Sequence, residues 1–307
     1  MLLAAGWGAR MEPLSSLIPK PALDVLGQPL LASALGHLLA ASCTPIVVNL
    51  HRHPQAVAAA ARSAAGGRAE LTFSHEATLA GSAGGIAAAR RYFAPGPLLV
   101  ANADGWATLD LAPLGELGRA DRAVLGLVPH PNIERWSTVE LGAGGVVRRI
   151  APPGDHTVTT PYLFTGFQLL GEELLADLPP PPADMAPVWR GLIARRALFG
   201  VPLAGTWREA GTPGGYRQLI SDLLAGSSWR HRDAKVEGDA CLVGSALGAA
   251  CSLGAGSMVI DSVVTGGARV GPGVYLQRCV VAGKVEIAAG EQLSDQLVLP
   301  GGCVPLV

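Results

Sequence analysis

MLLAAGWGARMEPLSSLIPKPALDVLGQPLL, residues 1–31, runs from a short apolar stretch through two glycines and one arginine into three prolines set around a single lysine. The pair Gly6-x-Gly8 invites comparison with the dinucleotide fingerprint, which needs a third glycine where a helix opens. Met11 stands there instead, and Pro13, Pro19 and Pro21 remove backbone donors and fix φ across the segment. The stretch therefore reads as an extended loop wrapped over a strand end, exposed in the free protein. No GxxxxGK[ST] occurs, so the P-loop is excluded as well. What remains is a strand running into bare amides that can approach a phosphate or base closely. Beside them stand an arginine whose fork fits phosphate oxygens and a lysine on a proline-stiffened arm. That suits a nucleoside triphosphate; a tight turn with solvated charges is the other reading of the loop taken alone.

Composition sharpens the lysine. Of 23 basic residues only Lys20, Lys235 and Lys284 are lysines. A chain that writes arginine nearly everywhere keeps lysine where a compact point charge is wanted. With 307 residues the chain can hold one large domain, or a large and a small one. The net charge of -1 and the 15% of charged residues advertise neither nucleic acid nor an acidic tail. Every apolar run is cut before the roughly 20 residues that a bilayer span requires. No basic region precedes MLLAAG as it would in a signal peptide, so no membrane association and a cytoplasmic location are expected. Cys43, Cys241, Cys251, Cys279 and Cys303 are widely spaced without a CxxC, which suggests buried thiols and neither a disulfide framework nor a zinc site.

Up to about residue 220 short apolar runs alternate with alanine-rich stretches, the pattern of an α/β fold. MLLAA, PIVVNL (45–50), AELTFS (69–74), PLLVAN (97–102) and AVLGLV (123–128) read as strands. PLLASALGHLLAAS, PQAVAAAARSAAG, SAGGIAAARRYF and the stretch near VWRGLIARRALFG read as helices, and GTWREAGTPGGYRQLISDLLAG as a strand exit and a last helix. From about residue 236 the pattern changes. Leu247, Leu253 and Val259 are six apart, as are Val264, Val270 and Leu276, and Ile287, Leu293 and Leu299. A six-residue step fits a three-sided parallel β-helix, although the phase slips between runs, and an irregular sheet with glycine-rich turns is the alternative.

LAAGWGARMEPLSSLIPKPALDVLGQPLL resembles the signature LAAGxGTRxxPLTxxxPKPxxxVxGxPLL of the sugar-1-phosphate nucleotidyltransferases, the NDP-sugar pyrophosphorylases. The resemblance continues in family order. HEATLAGSAGGI (75–86) is similar to the E-x-LGTAGGI base and sugar loop, LLVANADGW to the VVNGD metal strand, YLFTGFQLL (162–170) to the TGI sugar strand, and WREAGTPGGY (207–216) to W-x-(D/E)-x-GTPxxY. It implies a Rossmann-like α/β nucleotidyltransferase domain with a mostly parallel sheet over residues 1–225, followed by a short left-handed β-helix over 236–307. It further implies transfer of a nucleotidyl group from a nucleoside triphosphate to a sugar 1-phosphate with Mg²⁺. Ala5, Gly6 and Gly8 would lie under the nucleotide, Arg10 on the β- and γ-phosphates, Lys20 at the α-phosphate, and Gly81 and Gly84 beside base and sugar. Thr165 and Gly166 would line the sugar, and Asp104 and Glu209 would grip the metal, as hard oxygen ligands for a hard cation. Homo-oligomerisation, where it occurs, is expected through the C-terminal domain.

The chain departs from the pattern in places. Ala9 stands for the usual Thr, Ala103 for the Gly of NGD, Ser82 for Thr, and Glu209 for the commoner Asp. The family's E-E-K-P strand is absent; VVRRIAPP stands in its place, with Arg148 and Arg149 either substituting for the lysine or serving as strand-end charges. His51 and His53, an H-x-H pair with no third ligand nearby, read as loop surface. Asp110, six residues past Asp104, reads as a solvated or helix-capping acid in preference to a support for Asp104, and Asp24 as a surface acid, while Trp7 lies against the base or packs on the chain. GSAGGI lacks the Gln seen in many thymidylyl- and uridylyltransferases and resembles the mannose 1-phosphate guanylyltransferases more, a form that other specificities share; GTP and mannose 1-phosphate are put first. The rival reading is a catalytically weak homologue that senses NDP-sugar and regulates a partner subunit. A plain β-helix acyltransferase would need a catalytic His among its coils, and no His follows His231.

Overall fold

Ile46–Leu50 is buried along its whole length, one strand in from the edge of the main sheet. The computed structural model describes residues 1–130 and 133–306; Val307, the last residue of the expected second domain, lies outside them. Leu2–Leu3 pairs in parallel with Ile46–Leu50 on one side and with Leu98–Asn102 on the other, and Leu71–His75 extends the parallel half. The other half is different. Tyr162–Leu170 runs antiparallel to Leu98–Asn102, to Ala123–Pro129 and to Thr138–Leu141, and Thr138–Leu141 pairs antiparallel with Val147–Ala151. The sheet is thus mixed and not mostly parallel. A parallel return needs a crossover of a dozen or more residues, usually a helix. Among the described residues between Pro129 and Tyr162 there is no α-helix, only a tight turn at Ala143–Gly145.

The expected strands and helices of the first part form with small shifts of boundary. Leu31–Ala40 buries Leu31, Ala34, Leu35 and Leu38 at helical spacing. Pro54–Ala65 starts on a proline whose fixed φ suits the first helical position and ends where Gly66 turns left-handed at φ 55. One expectation is corrected: the helix read over 188–200 is Met185–Ala194, and Leu198–Pro202 is a strand parallel to Ala123–Pro129. Arg196, at φ 56, reverses the chain between them.

The C-terminal part is a coil of three parallel sheets. Trp229 pairs with Ala246, Ala246 with Val263, Val263 with Val280 and Val280 with Leu297; the ladders from Lys235 and Cys241 advance in the same way, 17 residues per coil. Seventeen explains the slip of phase. Leu247, Leu253 and Val259 point into one core with Val264, Val270 and Leu276, so two six-residue sides are followed by a side of five. Counted this way, the inward residue of the last side is Val298, buried at 4% exposure, and not Leu299, which is partly exposed. Ser245 and Ser262 sit at the short corner. The Ser245 hydroxyl donates to Val243 O at 2.7 Å and accepts the N–H of Ser262 at 3.0 Å; the Ser262 hydroxyl donates to Ile260 O at 2.7 Å and accepts the N–H of Cys279 at 2.9 Å. Each hydroxyl thus gives the next coil a partner that the tightened backbone does not supply. Gly302–Pro305 then turns back antiparallel on Gln296–Leu299.

The chain divides into two compact units, each made of two stretches of sequence. One comprises Met1–Trp7 with Leu31–Trp207, the other Gly8–Leu30 with Arg208–Val307. The proline loop belongs with the coil because it packs there: Leu17 lies over Gly283 and Pro300, Gly27 lies against Trp229, and the Tyr216 hydroxyl donates to the carbonyl of Asp24.

Ser262→Ala leaves the buried N–H of Cys279 without its acceptor and should destabilise the fold by about 1–3 kcal/mol in urea unfolding. Ser262→Cys places there the side chain that the next coil already carries at Cys279, and should cost less than half as much.

Candidate active site

In the first unit the sheet hands the chain to its loops through one buried polar network. The N–H of Ala4 donates to Asn49 Oδ1 at 2.7 Å, Asn49 Nδ2 donates to Glu76 Oε1 at 2.7 Å, and Glu76 Oε2 accepts the N–H of Ala80 at 2.9 Å. Asn49 is 3% exposed, a polar residue inside an otherwise apolar strand. These ties fix the start of the glycine loop and the start of helix Gly81–Ala89 to the same two side chains. Glu76 and Asn49 were not among the expected site residues. The signal was there, as an Asn at the end of PIVVNL and the Glu of HEATLAGSAGGI.

Ala5 is buried, whereas Gly6 is exposed and a Cβ built on it would touch nothing. Trp7 is 52% exposed, with the Arg52 guanidinium 5.0 Å from its ring centre and donating to its carbonyl at 3.3 Å. Gly81, at φ +74, and Gly84 lie directly on the segment Pro181–Ala183, where a Cβ on Gly81 would strike the Ala183 carbonyl and one on Gly84 would sit 2.8 Å from Pro181 Cα. Packing by itself requires both glycines. A Cβ on Gly85 would come within 2.8 Å of Glu76 Oε1.

Asp104 lies in the turn after Leu98–Asn102, half-buried. Ala103 is 1% exposed and its methyl packs in the core, so the departure from NGD fills a core position. Gly166, at φ +88, faces Asn102: a Cβ built on it would stand 2.9 Å from the Asn102 Cβ. Thr165 is buried, its hydroxyl donates to Gly126 O at 2.8 Å, and its carbonyl accepts Trp207 Nε1 at 2.8 Å.

The remaining polar candidates have structural partners. Asp110 Oδ1 accepts the N–H of Ala112 at 3.0 Å, two residues on, from the position before the N-cap Leu111 of helix Ala112–Leu117. His51 Nδ1 lies 2.9 Å from Glu76 O, and His53 is the left-handed residue before Pro54. Arg149 donates to Glu140 at 2.8 Å, Asp155 at 2.7 Å and Thr157 at 2.6 Å, and together Thr157 and Arg149 hold the Asp155 carboxyl down at about 2. Arg149 is thus committed to a carboxylate cluster; Arg148 is the more exposed of the two.

In the second unit Gly8 is left-handed at φ 70, with Ser15 and the Cβ of Lys20 packed on its bare side and its carbonyl accepting the Ser15 hydroxyl at 3.1 Å. Lys20 is 9% exposed between Pro19 and Pro21, against the expectation of an open loop. Arg10 Nη2 pairs with Glu209 Oε1 at 2.8 Å, with the arginine 57% and the glutamate 11% exposed. Asp24 is half-buried and its pKa is raised, chiefly by burial, although Gly27 N–H donates to it at 2.6 Å; it is not the surface acid expected.

Mg²⁺ takes one or two carboxylates and completes its shell with substrate phosphates and water. Glu209 fits this: Oε1 is engaged by Arg10, while Oε2 is buried with no hydrogen-bond partner among the described residues, an acceptor left for a cation. Among the described residues no group of three His, Cys, Asp or Glu could hold a metal by itself. The donor set therefore suits a cation that arrives with phosphates.

Residues 1–164 match the nucleotidyl transferase family, and the chain belongs to it. It is similar to the N-acetylmuramate α-1-phosphate uridylyltransferase of Caulobacter vibrioides, 32% identical over 69% of this chain and 91% of that protein. It is also similar to the mannose-1-phosphate guanylyltransferase of Mycobacterium tuberculosis, 27% identical over 94% of this chain and 81% of that one. A crystal structure of a glucose-1-phosphate thymidylyltransferase homologue from Bacillus anthracis shares the fold, with a TM-score of 0.63 over 72% of this chain and 92% of that one at 19% identity. No helix of the described residues is long and apolar enough to cross a membrane.

Glu76→Gln replaces one of two acceptor oxygens by a donor that faces either Asn49 or the N–H of Ala80. It should destabilise the protein by about 1–3 kcal/mol, read in thermal or urea unfolding, because one buried N–H loses its partner.

Proposed function

We propose that the protein transfers a nucleotidyl group from a nucleoside triphosphate to a sugar 1-phosphate and releases pyrophosphate. The observation that carries the reading is a buried lysine, clamped between two prolines beside the left-handed Gly8, in the same unit as Arg10 and a glutamate with an unpartnered oxygen. An oxygen of the sugar phosphate attacks the α-phosphorus in line as the bond to the pyrophosphate oxygen breaks, so no protein nucleophile is required. Lys20 neutralises the α-phosphate, and Arg10 exchanges its carboxylate partner for the leaving phosphates. The open side of Gly6 leaves room for the nucleotide, with Ala5 and Gly8 on either side of it in the chain, Gly81 and Gly84 border base and sugar, and Thr165 and Gly166 lie on the sugar side. Asp104 and Glu209 are the carboxylates for Mg²⁺, which supplies charge neutralisation on the phosphates when bound. Catalysis is then positioning plus electrostatics.

For base and sugar we put GTP and mannose 1-phosphate first, because the similarity to the guanylyltransferase runs through the C-terminal coil as well, which we take to be a left-handed β-helix. UTP with N-acetylmuramate 1-phosphate is the second reading, favoured by the higher identity, 32% over 69% of the chain. The sensor alternative loses ground with Ala103, whose methyl is absorbed by the core.

A grid of nucleoside triphosphates against sugar 1-phosphates, read by pyrophosphate release, should give turnover for at least one pair, abolished by EDTA and restored by Mg²⁺. A blank grid with tight NDP-sugar binding in calorimetry would favour the sensor.

Lys20→Arg keeps the charge and loses the geometry. The wider guanidinium cannot occupy a nearly closed site, so kcat should fall about a hundredfold or more. The melting temperature should fall too, since the site is buried. Wild-type kinetics in this variant would remove Lys20 from the reaction.

A further inference from the structure

We propose that Tyr216 is a positioning residue for the phosphate-binding loop, and that the C-terminal coil is the mount on which that loop is held. The inference rests on the nucleotidyl-transfer reading for what the loop does, and on the packing of the second unit alone for how it is held.

The loop has two anchors, one on each side of Lys20. On the near side Leu17 lies over the fourth coil: a Cβ on Gly283 would stand 2.7 Å from Leu17 Cδ2 and 3.1 Å from Pro300. On the far side is the hairpin of Asp24–Val25 and Gln28–Pro29. The Tyr216 ring is fully buried, and its hydroxyl donates to the backbone carbonyl of Asp24. The same hairpin rests on the first coil, where a Cβ on Gly27 would come within 3.1 Å of the Trp229 ring. Between the anchors, Ile18 to Leu23 has little freedom, since Pro19 and Pro21 fix φ and Lys20 begins a single 3-10 turn.

A tyrosine hydroxyl buried in this way must give its proton to an acceptor, and the acceptor here is a main-chain carbonyl four residues past the lysine. Burial, reinforced by the Asp24 carboxylate, raises the phenol pKa, so the group remains a donor throughout the working pH range. Tyr216 also packs within helix Pro213–Leu224, which Thr212 caps by accepting the N–H of Gly215 at 3.0 Å. The carbonyl of Asp24 is therefore fixed to a rigid helix, and the loop spans from the first coil to the fourth. Loosening either anchor lets the ammonium drift from the α-phosphate without removing any group that touches substrate.

The test uses the full-length chain and the pair that turns over best, with GTP and UTP plus Mg²⁺ as binding probes. Tyr216→Phe should lower kcat about tenfold or more while KM for both substrates stays within about twofold, the pattern of lost positioning with binding retained. Amide hydrogen exchange should rise over residues 14–25 and stay unchanged in the distal coils. Leu17→Ala, at the opposite anchor and 42% exposed, should reproduce the kcat loss with a wild-type melting temperature. Should Tyr216→Phe fail to fold, Leu17→Ala decides alone. Unchanged kcat in Leu17→Ala, or unchanged exchange over 14–25 in a folded Tyr216→Phe, overturns the proposal. A wild-type protein with no turnover on any pair is a failure of the functional reading only; the exchange pattern then decides the mount.

Discussion

The opening strand stops after Leu3 because the next donor, the N–H of Ala4, goes to the side chain of Asn49 and not to a neighbouring strand. A two-residue strand between two parallel neighbours would otherwise leave a buried amide unmet, at a cost comparable to a lost hydrogen bond. Asn49 meets it from inside its own strand and is held in that orientation by Glu76, which in turn receives Ala80 at the mouth of a helix. The chain can therefore leave the sheet early, and the glycine loop begins at a fixed point. Gly85 lies so close to Glu76 and Asn49 that no side chain fits between them, which ties the small residues of GSAGGI to the same network.

Much of this architecture was legible in the residues. PIVVNL, PLLVAN and AVLGLV are apolar enough for buried strands, and Pro54 and Gly66 bracket a helix by local conformational preference alone. The antiparallel half of the sheet was not, because the direction of Tyr162–Leu170 depends on which strands lie beside it and leaves no mark on its own alternation. The coil was legible in its six-residue steps, but the third side is one residue short, and the cause lies in side chains: Ser245, Ser262 and Cys279 occupy equivalent corners 17 residues apart. Equivalence at that distance is hard to see when a serine is replaced by a cysteine.

The motifs name the candidate site residues, and the packing around them adds causes that the motifs do not carry. Gly81 and Gly84 match a nucleotide-binding pattern, yet the backbone of Pro181–Ala183 already forbids side chains there, so the glycines carry a packing requirement beneath any functional one. Lys20 stood out by rarity among cations, but its burial could not be read from the loop, since it follows from the loop's membership of the coil unit. The boundary of that unit falls inside both the first motif and the last. A division drawn where composition changes, near residue 236, separates parts that pack as one.

The antiparallel return of Gly302–Pro305 has a consequence for assembly. A parallel coil ends in open rungs, each a template for one more strand of another molecule. Here one sheet carries an extra strand of reversed direction, while the other two stop at Glu286–Ile287 and Gln292–Ser294. The coil therefore ends in a step and not a flat face, and that strand closes on Pro305, which has no donor to offer. Over the described residues a strand added in parallel to continue the coil would meet rungs at different heights, one of them of opposed polarity.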